Sequence, residues 1–160
     1  MPILLGLLVG LAAPVLVART NARVRARLVQ PLQALAWVLP RTPRDRAWFA
    51  ALAVSAGICE ELIDRGFLLG YLGGPAVGFG VPASVALATL VLLLGHTYQG
   101  WLGLLAVGVL GIVFTALYLL TGALWAPMLV HALVDLRILL FWPAPPADPE
   151  TRPPPTRTAD

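Results

Sequence analysis

Four ionisable residues, Glu60, Glu61, Asp64 and Arg65, interrupt an apolar run that has no charge over 47–58 and resumes with Phe67, Leu68 and Leu69. A charged side chain at the centre of a membrane helix costs at least about 2.5–3.5 kcal/mol, so four together imply partners or a reaction. Glu61 and Arg65 are four apart with the acid first, which puts them on one helical face in the better orientation for an ion pair. Glu60 and Asp64 share the adjacent face. Glu61 and Arg65 are therefore expected to neutralise each other as a supporting pair, and Glu60 is left with a carboxylate to use elsewhere. The two histidines of the chain, His96 and His131, lie on later apolar segments, and Asp135 follows His131 by four residues on the same helical face. Histidine is the usual general acid or base and a frequent metal ligand, and desolvation raises a carboxylate's pKa toward working pH. A packed bundle is thus expected to gather Glu60, His96, His131 and Asp135, either as a reaction centre or as buried polar residues that satisfy one another. Cys59 reads as a small buried hydrophobe, and Asp64 and Arg137 as local partners.

Other hydrolytic centres do not fit. Ser55 and Ser84 lack the glycine frame of a nucleophile elbow, and neither H-E-x-x-H nor a paired-aspartate pattern with Gly-x-Gly-Asp occurs. A single cysteine excludes an internal disulfide and a cysteine-based metal cluster. The chain is 59% hydrophobic and 12% charged, against about 25% charged in soluble domains, which predicts an all-α integral membrane protein, a polytopic helix bundle of about five spans. All eleven basic residues are Arg and the net charge is +3. They cluster locally without aromatic interleaving, a pattern for a membrane surface and against nucleic acid as a partner.

The elements that must position these residues follow in order. Residues 1–18 read as a short first span, with a signal peptide as the alternative. Arg19, Arg23, Arg25, Arg27, Arg41, Arg44 and Arg46 against the lone Asp45 place 19–46 in the cytoplasm. Within that stretch 28–39, interrupted by Pro31, is expected to form an interfacial helix with Trp37 at headgroup level. Thr42 or Asp45 can cap a long helix that reaches about Tyr71 and stops at Gly73-Gly74-Pro75. Spans over 82–98, ending near His96, and over 101–120, with Gly103, Gly108 and Gly111 for close packing, are joined at Gln99-Gly100. Thr121-Gly122 turns the chain into a last span, 124–142. From Pro143 the chain holds seven of its fifteen prolines, which predicts a disordered tail, 143–160, behind a membrane-embedded domain, 1–142. Alternate crossings from the Arg-rich stretch put the amino terminus and the 73–81 turn outside and the carboxyl terminus in the cytoplasm, in a multi-pass protein of the plasma membrane.

With these residues in place the chain resembles the CPBP family, which groups CAAX prenyl endopeptidases with bacteriocin-processing and immunity proteins, also called Abi proteins. Glu60, Glu61 and Arg65 match its E-E-x-x-x-R motif, continued by Gly66-Phe67-Leu68-Leu69. His96, preceded by Leu92 where the family has Phe, matches F-x-x-x-H, and His131 with Asp135 matches H-x-x-x-N/D. Asp64 stands where the family usually has an aromatic. The resemblance implies an intramembrane endopeptidase in which Glu60 acts with His96 as general base on a water, while His131 and Asp135 bind the oxyanion or help hold the site. The same four residue types could also bind zinc with an open position, so a metal stays possible. The expected partners are a membrane-associated peptide or protein substrate and the lipid bilayer. The alternative is a non-catalytic membrane binding or immunity protein that keeps the same cluster for structure and recognition.

The orientation is testable by thiol labelling in a Cys59→Ser background. A cysteine at Ala22 is expected to resist an impermeant reagent in intact cells, and one at Gly74 to react. Reaction at Ala22 before lysis would reverse the sidedness of every later segment.

Overall fold

Thr42, Pro43 and Asp45 start the helix on which the site is built. In the computed structural model, which describes residues 2–142, Asp45 N–H donates to Thr42 Oγ1 (3.1 Å) and Asp45 Oδ2 accepts from the Thr42 and Arg41 backbone N–H groups (2.9 and 3.0 Å). These reciprocal bonds form a capping box, and Pro43 occupies the first turn, where a missing N–H is harmless. The Arg41 N–H, then the Thr42 hydroxyl, hold the Asp45 carboxyl below its ordinary range. Since the folded pKa is the lowered one, the stability from this cap is present above the ordinary Asp pKa and is lost as pH falls through the lowered value.

The capped helix is α3 (Pro43–Glu61), and it continues without a break into an eight-residue π-helical segment, Leu62–Leu69, and a last turn, α4 (Gly70–Gly73). The predicted end near Tyr71 therefore stands, but the wide π turns were not anticipated. Before α3 come α1 (Pro2–Thr20) and α2 (Ala22–Val29), the latter capped by Asn21 Oδ1. The helix expected over 28–39 is not one element. α2 ends at Val29 and a 3₁₀ helix covers Gln30–Leu35, because Pro31 has no N–H to give and its ring obstructs a regular α turn.

α5 (Val81–Gly95) stops three residues short of the predicted limit of 98; His96 leaves helical geometry (φ −107°, ψ 11°) and a 3₁₀ turn, Thr97–Gln99, follows. Gly100 adopts φ +72°, a conformation side chains disfavour, and opens α6 (Gly100–Thr121), which Gly122 closes at φ +65°. The expected last span is two pieces, α7 (Trp125–Leu136) and α8 (Ile138–Phe141). At the break Leu140 N–H reaches back only three residues, to Arg137 O (3.0 Å), while the Arg46 guanidinium takes the Leu139 carbonyl and Trp142 Nε1 donates to Pro40 O (3.1 Å). Tertiary bonds to the start of α3 thus replace a straight continuation.

The described residues are all-α. Among them one helical stretch, Thr97–Thr121, is long and apolar enough to cross a membrane by length and composition, whereas Val81–Gly95 is apolar but shorter. The tail expected to be disordered, 143–160, lies outside the described residues. α3 crosses α7 at close range: a Cβ added at Gly57 would stand 2.8 Å from Ala132 N. Phe114 and Leu117 of α6 pack on Ala126, Val130 and Val134 of α7, and Leu39, Phe49 and Ala53 pack on Leu136, Ile138 and Leu139. Outside this core the long helices present apolar side chains, Leu102, Leu105, Val109, Ile112, Leu119 and Leu120 along α6 among them, a surface suited to lipid.

The α3–α7 crossing gives a prediction. Gly57→Ala forces the two backbones apart and should lower the melting temperature in detergent, with a cost on the order of 1–3 kcal/mol. Gly10→Ala, whose added Cβ meets nothing within 4 Å in α1, should be neutral or stabilising. Equal effects would show that the crossing is not the tight contact described.

Candidate active site

The junction of α3 with its π segment carries both glutamates, in opposite environments. Glu61 is fully buried, and its Oε1 accepts from Arg65 Nη1 (3.0 Å) and stands 2.8 Å from His131 Nδ1. Arg65 is buried as well. Its Nη2 donates to Gly111 O (2.8 Å), its Nε to Thr115 Oγ1 (3.3 Å), and its guanidinium lies over the Phe114 ring, 5.7 Å from the centroid. The predicted Glu61–Arg65 pair is therefore present. Asp64, expected beside Glu60, is buried with Oδ2 3.6 Å from Arg65 Nη1.

His131 sits mid-way along α7 and stacks on Phe114, ring centroids 4.9 Å apart. An ionised Glu61 beside Arg65 can only accept hydrogen bonds, so the proton of the shared bond belongs to His131 Nδ1. This turns Nε2 to the other side, 3.9 Å from Glu60 Oε2 and 3.8 Å from Asp135 Oδ2. His96, at the end of α5, is fixed in the same sense: its Nδ1 is 2.8 Å from Leu92 O, a pure acceptor, and its Nε2 faces Glu60 Oε2 at 3.7 Å. The Nε2 atoms of both histidines thus converge on one oxygen of Glu60, whose side chain keeps about a third of its surface exposed (35%).

All four residues expected to meet are brought together. Separations of 3.7–3.9 Å exceed a hydrogen bond, so these polar atoms face one another without a direct bond. A metal fits less well. Among the described residues no group of three or more His, Cys, Asp or Glu side chains is disposed to hold an ion, so the zinc set that these residue types allow is not the arrangement found. A cavity of about 580 Å³ opens at this point, with Glu60, His96, His131 and Asp135 in its wall and mainly apolar side chains such as Leu32, Leu35, Leu102 and Leu110 around them. That volume lies within the range of small-ligand sites. Cys59, expected to be buried, is exposed.

Sequence reasoning missed two features. Glu61 holds His131 as well as Arg65, because an i, i+4 argument finds partners on one helix and not across helices. Gly111, Phe114 and Thr115 of α6 seat the Arg65 and His131 side chains. Thr115, a polar residue deep in an apolar run, was the available signal.

The chain matches the family model described as type II CAAX prenyl endopeptidase Rce1-like over residues 42–137, more than half of its length and inclusive of every residue of the cluster. No curated protein and no solved structure matches it significantly. The match begins at the Thr42 cap and ends where α7 ends, so it covers the elements that build the cluster. This chain belongs to the Rce1-like CAAX prenyl endopeptidases, a family of membrane-embedded proteases.

Proposed function

We propose that the protein is an intramembrane endopeptidase that hydrolyses a peptide bond with a water held between Glu60 and His96. The observation that carries this reading is the convergence of His96 Nε2 and His131 Nε2 on Glu60 Oε2 at 3.7 and 3.9 Å. A water there donates one hydrogen to Glu60 and one to the His96 Nε2 lone pair, which leaves its oxygen free to attack a carbonyl carbon. As the C–O bond forms, Glu60 takes the water's proton. His131 Nε2, protonated, donates to the oxyanion while Glu61 steadies its ring from Nδ1, and Asp135 braces the far side of the same imidazole. Glu60 then passes its proton to the leaving amine as the C–N bond breaks. No step runs through a metal.

The substrate proposed is a membrane-associated peptide ending in a prenylated Cys-aliphatic-aliphatic-X sequence, the class in the family's name. The apolar wall of the cavity supports it, since a prenyl chain needs a water-poor groove. The domain is taken as residues 1–142 with 143–160 as an appendage. Its elements are α1, α3 with its π segment and α4, α5, α6, and α7 with α8, making about five passages through the plasma membrane with the Arg-rich 19–46 and the carboxyl terminus in the cytoplasm. Several of these elements are shorter than the roughly 20 residues a full crossing needs, so they are read as packed within the bundle and not as independent spans.

Substitutions at the two glutamates divide the roles. Glu60→Gln should abolish cleavage of a prenylated peptide by reconstituted protein, a loss of about 10²–10⁴ in proton transfer alone, with the melting temperature kept or raised. Glu61→Gln removes the charge that Arg65 and His131 both use, and breaking a buried pair costs about 3–5 kcal/mol, so that variant should melt earlier in detergent. An unstable Glu60→Gln beside a stable but inactive Glu61→Gln would exchange the two assignments. Full biological function of Glu60→Gln with no cleavage of any peptide would favour a binding or immunity protein instead.

A further inference from the structure

The wall of the catalytic cavity also carries cations that the reaction does not use. Arg27, Arg65 and Arg137 all line it. Arg65 is spent on Glu61, Thr115 and Gly111. Arg27, on α2, is exposed, so it stands where the cavity meets its surroundings. Arg137 is different: it is half-buried at the α7–α8 break, and among the described residues its guanidinium has no hydrogen-bond partner and no carboxylate within 4.0 Å. The nearest acid along the chain, Asp135, attracts Arg137 through space but makes no contact with it, and its Oδ2 faces His131 Nε2 at 3.8 Å. A guanidinium is an always-charged fork of donors, and holding it in a largely apolar wall with no carboxylate in contact leaves those donors for an arriving anion.

We propose that Arg137, with Arg27 outside it, receives the free α-carboxylate at the C-terminal end of the substrate, so that the distance from Arg137 to the bridged water sets how far from the chain end the bond is cut. The proposal rests on the endopeptidase reading of Glu60 and His96. The reach is consistent with it. His131 and Arg137 are six residues apart, about 9 Å of helical rise and about 120° round the axis, so an extended peptide needs at least about three residues at 3.3–3.6 Å each to cover the gap. A carboxylate takes the planar fork of an arginine in two parallel hydrogen bonds, and a peptide amide has no charge to offer it. An anionic lipid phosphate has the same attraction for a guanidinium, and the experiment must tell the two apart.

The test compares one prenylated Cys-aliphatic-aliphatic-X peptide as its free acid and as its C-terminal amide, on protein in phosphatidylcholine nanodiscs. Wild type should show a KM about 10- to 100-fold lower for the acid, the size expected of a charge-assisted bidentate contact. Arg137→Gln should lift the KM for the acid to that for the amide, and Arg137→Lys should restore part of the preference. Equal treatment of acid and amide by wild type, or an Arg137→Gln change that slows both peptides alike, overturns the proposal and leaves Arg137 a structural residue. Binding of both peptides to Glu60→Gln protein reads the subsite without hydrolysis. An acid preference there that vanishes in the Arg137→Gln double variant upholds the subsite even where no peptide is cleaved, in which case the reaction assignment fails and the subsite does not. Repeating the binding in phosphatidylglycerol separates the sources of anion. An unchanged preference supports the peptide carboxylate, and a preference abolished by the anionic lipid and independent of residue 137 sinks it.

Discussion

A carboxylate with no access to solvent, Glu61, holds three helices to one another. In an apolar interior an ionised acid is tolerated only with compensating donors, and Glu61 has two, Arg65 from its own helix and His131 from α7. The guanidinium that neutralises it needs partners in turn, which α6 provides through the Gly111 carbonyl and the Thr115 hydroxyl. Gly111 has no side chain to spare at this place: a Cβ would come 2.7 Å from Leu92 Cδ2 and 3.5 Å from Arg65 Nη2. Leu92 is also the residue whose carbonyl fixes His96. One buried charge therefore fixes the orientation of His131, while His96 is held separately by the Leu92 carbonyl of its own helix. The other Glu61 oxygen, Oε2, has no partner among the described residues, so the compensation is concentrated on Oε1.

The contrast with Glu60 follows from the helix and not from residue chemistry. Adjacent residues on a helix point about 100° apart, so one acid can be driven fully inside while its neighbour stays at a cavity edge. Glu61 is spent on its partners, Arg65 and His131. Glu60 faces two Nε2 atoms without a direct bond to either and stays at the cavity edge, and it is the acid that the proposed reaction uses. In the proposed reaction the first glutamate does chemistry because the second maintains the geometry.

Much of this arrangement was legible before any coordinates. The Thr42–Asp45 cap, the Glu61–Arg65 pair and the convergence of Glu60, His96, His131 and Asp135 follow from capping chemistry, helical periodicity and the cost of charge in an apolar run. The limits of the elements were harder to read. The π turns over Leu62–Leu69, the early end of α5 at Gly95 and the break at Arg137 depend on what packs alongside, and a periodicity of 3.6 carries no information about neighbours. The early end of α5 has a consequence for the site. Because His96 leaves the helix before the 3₁₀ turn, its ring nitrogens can face Leu92 O on one side and Glu60 on the other, with Gly100 supplying the positive φ that lets α6 start at once. The family resemblance supplied the roles, which periodicity alone left open between a reaction centre and a satisfied polar cluster.

A protease embedded in lipid must bring water to a bond in a medium that excludes it. Dry packing would defeat that purpose, and a wide aqueous channel would lose the apolar surface that a lipidated peptide needs. The cavity of about 580 Å³ avoids both extremes: its acids and histidines are gathered at the junction of α3, α5 and α7, and hydrocarbon side chains form much of the rest of its wall. In the proposed reaction a water held there has Glu60, His96, His131 and Asp135 as hydrogen-bond partners, while much of the surrounding wall is hydrocarbon. The low dielectric of that wall strengthens the interactions of Glu60 with its histidines. In the proposed reaction the position of reactivity is set by where these acids and histidines cluster, with Glu61 and Arg65 behind them.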